Sequence, residues 1–150
     1  MITFHYAEAV APQLVVLKKL EKNMKASYRN GWARVGRALN SDFVGQVMFK
    51  PKSGKVYRIK GGTHTASAWN ETPANLTGHY RDSIRFTVRG WMGMTWGNDA
   101  FYADWLEKGS AEFNVSFTGR KGLWRTVKRV QPNFTSIFDN QLAVDLGGWY

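Results

Sequence analysis

Cysteine is absent from the 150-residue chain, which excludes disulfides, thiolate metal ligation and a cysteine nucleophile, and fits a reducing compartment. Long apolar runs are also missing. Nothing approaches the roughly 18 consecutive apolar residues of a membrane span, so no membrane partner is expected. The N-terminus, Met1-Ile2-Thr3-Phe4-His5, lacks a charged segment followed by an apolar one, so export by a standard signal is not expected. The four Asn-x-Ser/Thr triplets, at Asn70, Asn75, Asn114 and Asn133, therefore carry no weight as glycosylation acceptors. Acidic residues are scarce, 11 against 21 lysines and arginines, and the formal net charge is +10. That balance attracts anions over about a Debye length. The basic residues are spread along the chain, with groups at 18–37, 50–60 and 120–129 and no separate basic tail.

Reactive constellations are missing as well. His5, His64 and His79 lie in different segments with no metal-ligand spacing. His79 and Asp82 are three apart, which permits a local hydrogen bond. Ser53-Gly54-Lys55 is followed by Val56, not by the hydroxyl residue that a phosphate-cradling loop needs, and it reads as a strand-entry turn. Gly90, Gly93 and Gly97 are not in dinucleotide-binding order and read as hairpin turns. Glu71 and Glu107 stand too far apart in sequence to argue for an acid/base pair. Loop anchoring or a salt bridge to a neighbouring subunit is the expected role of both. No catalytic residue, metal site or cofactor is expected.

What the chain does have is aromatics, 15% of its residues and seven of them tryptophan. Such residues fill a core or occupy the centre of a subunit contact, and both uses stay open. At this length one domain is expected. From about Pro12 to Leu39, apolar residues recur at Leu14, Leu17, Leu20, Met24, Tyr28, Trp32, Val35 and Leu39, the three-and-four spacing of one helical face. A helix over about 12–40 would be roughly 40 Å long and overhang so small a domain, with a bend or break expected near Gly31 and Gly36. Phe43–Phe49 and Lys55–Lys60 read as short strands, and 61–80 as one long loop, a candidate binding arm.

Ser83–Arg89 alternates Ile84, Phe86 and Val88 with Arg85, Thr87 and Arg89, and pairs with Met92–Trp96 as a hairpin. Phe101–Lys108 reads as a helical turn closed by Gly109. Phe113, Val115 and Phe117 alternate before a turn at Gly119–Gly122. Pro132 opens a last helix over about 132–146, stopped by Gly147. The fold class expected is α+β: a long N-terminal helix, sheet and loops over about 43–130 with an antiparallel sheet of four to five strands, and a C-terminal helix packed on the sheet. Arg120, Lys121, Trp124, Arg125, Lys128 and Arg129 set basic groups beside aromatics, a mixture that suits either a protein interface or nucleic acid.

Read in order, Gly54-Lys-Val-Tyr57-Arg58, His64, Ala66-Ser-Ala68, Glu71, Pro73-Ala74, Thr77-Gly78, Ser83-Ile84, Tyr102-Ala103, Leu106-Glu107-Lys-Gly109 and Pro132 resemble the HK97-type tail-completion (neck) proteins of tailed bacteriophages. The resemblance covers about residues 50–140. Trp69-Asn70, Lys108, Ser110 and Gln131-Pro-Asn133 depart from the usual run. What the resemblance implies is a virion protein, made in the host cytoplasm, that forms a ring between head connector and tail. Its partners would be copies of itself, the head connector or adaptor, the tail terminator or tail tube, and DNA passing non-specifically through the channel. Tyr57, Arg58, Glu71, Pro73, Thr77, Gly78, Tyr102, Leu106, Glu107, Gly109 and Pro132 are the interface and motif residues so implied. The alternative is a small basic nucleic-acid-binding protein.

Overall fold

The spacing from Leu14 to Leu39 produces a helix that is longer at both ends than the pattern suggests. In the computed structural model, which describes residues 6–68, 71–110 and 117–147, helix α1 runs Tyr6–Met48. Phe43–Phe49 is therefore helix up to Met48, not a strand. Phe43 and Val47 continue the face begun by Val35 and Leu39, and all four are buried. Burial along one stripe outweighs the strand preference of Phe and Val. Nor does the helix break at its glycines, which make room for rings. A Cβ on Gly31 would lie 2.4 Å from the Phe138 ring, and one on Gly36 2.5 Å from that of Phe86.

Forty-three residues make about 64 Å of helix, whereas a compact chain of this length is about 40 Å across. The excess corresponds to about 16 residues of α1, and residues 14–19 are indeed all exposed. Leu14 and Leu17 are 50% and 60% exposed, whereas Val35 and Leu39 on the same stripe are 1% and 3%.

The strands do not form one sheet. Among the described residues there are three separate antiparallel pairs: β1 (Val56–Ile59) with β2 (Gly62–Thr65), β3 (Ile84–Arg89) with β4 (Gly93–Asn98), and the two-residue β5 (Gly109–Ser110) with β6 (Phe117–Thr118). Part of the expected 61–80 loop is thus β2, turned back on β1 through Gly61 at φ 94°. All four β1 residues are exposed, and in β2 only His64 and Thr65, at the base of the hairpin, are half-buried, so the hairpin buries little against its neighbours. β3 follows the expected alternation, with Ile84 buried, Phe86 and Val88 half-buried and the intervening residues exposed, whereas β4 begins at Gly93 without alternating and leaves Met92 exposed in the turn. Of the expected strand near Phe113 and Val115, residues 111–116 lie outside the described residues.

Short helices α2 (His79–Asp82) and α3 (Ala103–Lys108) flank the β3–β4 hairpin in sequence. Gly109 ends α3 at φ 88°, as expected. The turn at Gly119–Gly122 leads into an unanticipated helix, α4 (Gly122–Val130), with Thr126 and Val130 buried. Its signal was the spacing of Leu123, Val127 and Val130, masked by the basic residues between them. A 3-10 turn (Gln131–Asn133) carries the chain into α5 (Phe134–Leu146). Helix α5 lies chiefly along α1, not on a sheet. Phe138 meets Trp32 edge-on at 4.9 Å and Tyr28 at 5.8 Å. One apolar cluster centres on Phe43, Val47, Tyr80 and Ile84, and a second on Val35, Leu39 and Val130. Trp96 packs against both, and its indole N–H donates to Asn40 Oδ1 at 2.7 Å.

Candidate functional site

Two carboxylates organise the segments that the sequence singled out. Glu71 accepts hydrogen bonds from the Ser53 hydroxyl at 2.6 Å, the Ala68 amide at 2.8 Å and the Ser53 amide at 3.1 Å. These donors hold its carboxyl down at about 2, the Ser53 hydroxyl contributing most. The bonds tie the 66–71 stretch to the turn before β1. A Cβ on Gly54 would lie 2.5 Å from the Ala66 carbonyl oxygen, so the tie is close-packed. Arg120 adds a clamp, its guanidinium donating to the Ser67 and Ala68 carbonyls.

Glu107 binds two other segments. It accepts the Tyr80 hydroxyl at 2.8 Å and the Leu123 amide at 3.0 Å on both oxygens. The Leu123 amide belongs to the first turn of α4, where intrahelical partners are lacking and a negative charge is favoured. Burial, and then the Glu107 carboxylate, push the Tyr80 phenol well above its ordinary value, so it stays protonated and donates. Close backbone passage completes the junction. The Arg120 amide donates to the Leu106 carbonyl at 2.8 Å, and a Cβ on Gly122 would stand 3.1 Å from Pro73.

Pro73, Thr77, Gly78, Tyr102 and Leu106 therefore converge with Tyr80 around one cavity of about 220 Å³. Glu107 is bonded to Tyr80, and Gly109 follows α3. Gly78 is buried at φ 83°, a conformation that favours glycine. Tyr102 stacks on Tyr80 at 6.0 Å and meets Phe101, which is 92% exposed, at 5.0 Å. Tyr57 and Arg58 sit apart on the exposed hairpin, with Lys55 over the Tyr57 ring at 5.5 Å. Pro132 lies exposed in the 3-10 turn, away from the others. The expected His79–Asp82 hydrogen bond is replaced: Asp82 pairs with Arg81, and His79 lies 5.8 Å from the Tyr102 ring.

Ser53, Tyr80 and Leu123 escaped the sequence reading as site residues, and Arg120 stood out only as a basic group beside aromatics, not as a clamp on the Ser67 and Ala68 carbonyls. Leu123 acts through its backbone amide, which leaves no mark in side-chain identity, and the Ser53, Tyr80 and Arg120 side chains depend on partners 18 or more residues away. No three His, Asp or Glu side chains among the described residues are grouped to hold a metal ion. No described helix is long and apolar enough to cross a membrane.

A second concavity, of about 430 Å³, opens between the end of α1, the 50–53 turn and α4, lined by Lys50, Lys52, Glu71, Arg125 and Arg129 among others. A third, of about 390 Å³, is apolar and lies at the root of the α1 overhang, lined by Leu17, Leu20, Met24, Tyr28 and Trp91. Comparison with protein-family models, with curated proteins and with solved structures returns no match.

Proposed function

We propose that the chain is a structural subunit of a tailed-bacteriophage neck, a ring-forming tail-completion or connector protein that joins head to tail and lets DNA pass. The observation that carries this reading is the exposed stretch of α1 over residues 14–19. An apolar run, Leu14-Val15-Val16-Leu17, is exposed at 50–66% on a helix about 24 Å longer than its domain. Apolar surface on a rigid arm is a liability for a monomer and an asset in an assembly. The standing-off β1–β2 hairpin, with Val56, Tyr57 and Ile59 exposed at 43–57%, presents a second such patch elsewhere in the fold. Two different patches per subunit suit the heterologous contacts that close a ring. The ordered sequence fragments that resemble the neck family point the same way.

In this reading the chain binds copies of itself, the head connector or adaptor and the tail terminator or tube, and it catalyses nothing. Glu71, Glu107 and Arg120 hold its contact segments in shape. Imaging of the purified protein and of virions tests it: a ring of this chain below the portal is expected. Virions that lack the chain, together with turnover of a substrate by the isolated protein, would defeat it. The excess of basic residues favours a second reading, a nucleic-acid-binding protein acting as monomer or dimer. That reading requires DNA affinity to fall by orders of magnitude between low and moderate salt with no ring in particles.

A further inference from the structure

We propose that the concavity between the end of α1, the 50–53 turn and α4 is a seat for the phosphodiester backbone of DNA, with Lys50, Lys52 and Arg125 as its contacts. The inference rests on DNA being a partner of this chain, and it assigns that contact to particular residues. Four cations, Lys50, Lys52, Arg125 and Arg129, line the opening against one carboxylate, Glu71. Glu71 is already committed to three donors of its own loop. Arg129 is committed as well: it is doubly bonded to Asp42, at 2.6 and 3.0 Å, and donates to Thr126. Lys52 donates to the Gln46 carbonyl at 2.9 Å, near the end of α1, and its amine is half-buried there.

Lys50 and Arg125 have no polar side-chain partner among the described residues. The cations also crowd one another. Burial lowers the Lys52 ammonium from its ordinary value, Glu71 opposes that shift, and Lys50 and Arg120 add to it. A bound anion would relieve that repulsion and replace lost solvation. The space exceeds what a single oxyanion fills and is open to solvent, which suits a chain of phosphates running through it. Guanidinium and ammonium groups from two separated segments would grip adjacent phosphates.

The test uses the full-length protein, fluorescently labelled duplex DNA and a salt titration. Lys50→Ala and Arg125→Gln are compared with Arg89→Gln, which removes the same charge at an exposed arginine ending β3, outside the concavity and the α1 overhang. Each seat variant should lower the slope of log affinity against log salt by about 0.9, equivalent to about eightfold weaker binding at 0.1 M relative to 1 M salt. Arg89→Gln should change neither, and all three should unfold at the wild-type temperature. Equal losses in all three variants would mean diffuse attraction and would overturn the seat while leaving DNA as a partner. Absence of DNA binding at low salt would remove both the seat and the DNA contact, without touching ring formation as seen by imaging. Inorganic phosphate and a poly-glutamate peptide serve as competitors. If either displaces DNA at equal charge concentration, the site takes free anions or acidic protein and the proposal fails.

Discussion

Replacing Gly36 by alanine should destabilise the protein, although in a solvated helix interior the same change stabilises by about 1 kcal/mol. The added Cβ would lie 2.5 Å from both Cγ and Cδ2 of Phe86, where contact normally begins near 3.5 Å. Cγ is the root of the ring, so rotating the side chain does not relieve the clash; α1 and β3 must separate by about 1 Å to restore ordinary contact. Overpacking of this kind costs about 1–3 kcal/mol, which leaves a net loss of about 1 kcal/mol after the helical gain. Gly45 supplies the control within the same helix. Nothing lies within 4 Å of its Cβ position, so Gly45→Ala should gain up to about 1 kcal/mol. At roughly 3 °C per kcal/mol, melting temperatures of the two variants should diverge by about 6 °C, with wild type between them. Adding Phe86→Leu to Gly36→Ala should recover part of the loss, a coupling expected of residues in contact. If Gly36→Ala melts as high as Gly45→Ala, the close approach of α1 to β3 is wrong.

Acid should loosen the 66–71 loop. Because its folded-state value is lowered, Glu71 contributes stability that is fully present above its ordinary 4.5 and lost as pH falls through about 2. Urea midpoints taken between pH 6 and pH 2.5 should therefore fall less steeply for Glu71→Gln than for wild type. Tyr80→Phe removes a buried donor to a carboxylate and should cost about 2 kcal/mol in denaturant unfolding, with α4 still capped through Leu123. Loss below about 0.5 kcal/mol would deny the Tyr80–Glu107 bond a structural role. Leu14→Lys with Leu17→Lys should leave monomer stability within about 0.5 kcal/mol of wild type and abolish self-association in sedimentation. Unchanged assembly would remove the α1 overhang from the subunit contact.

Local chemistry was legible wherever one short segment decided the outcome. The alternation of Ile84, Phe86 and Val88 specifies a half-buried strand by itself, and Gly109 after Lys108 marks a helix end. Residues 43–49 were ambiguous because Phe and Val suit a strand or a buried helical stripe equally well. Nor could local pattern say that β1–β2 would fail to join β3–β4, since sheet membership depends on which faces remain to be buried. The candidate residues Pro73, Gly78, Tyr102, Leu106 and Glu107 were recognisable in order, but not as neighbours.

By itself, the sequence determined the helical stripe of α1, the β3–β4 hairpin, the excess of positive charge and the absence of thiol chemistry. Periodicity and composition are properties that survive without a fold. Only the tertiary structure decided that the stripe is covered from Tyr28 onward and bare at Leu14 and Leu17, because coverage needs α5 and Trp91 to arrive from elsewhere in the chain. It also brought the basic groups of 50–52 and 125–129, over 70 residues apart, around one opening. Distance along the chain carries no information about distance in space until the core has formed, and both sites were set by that collapse.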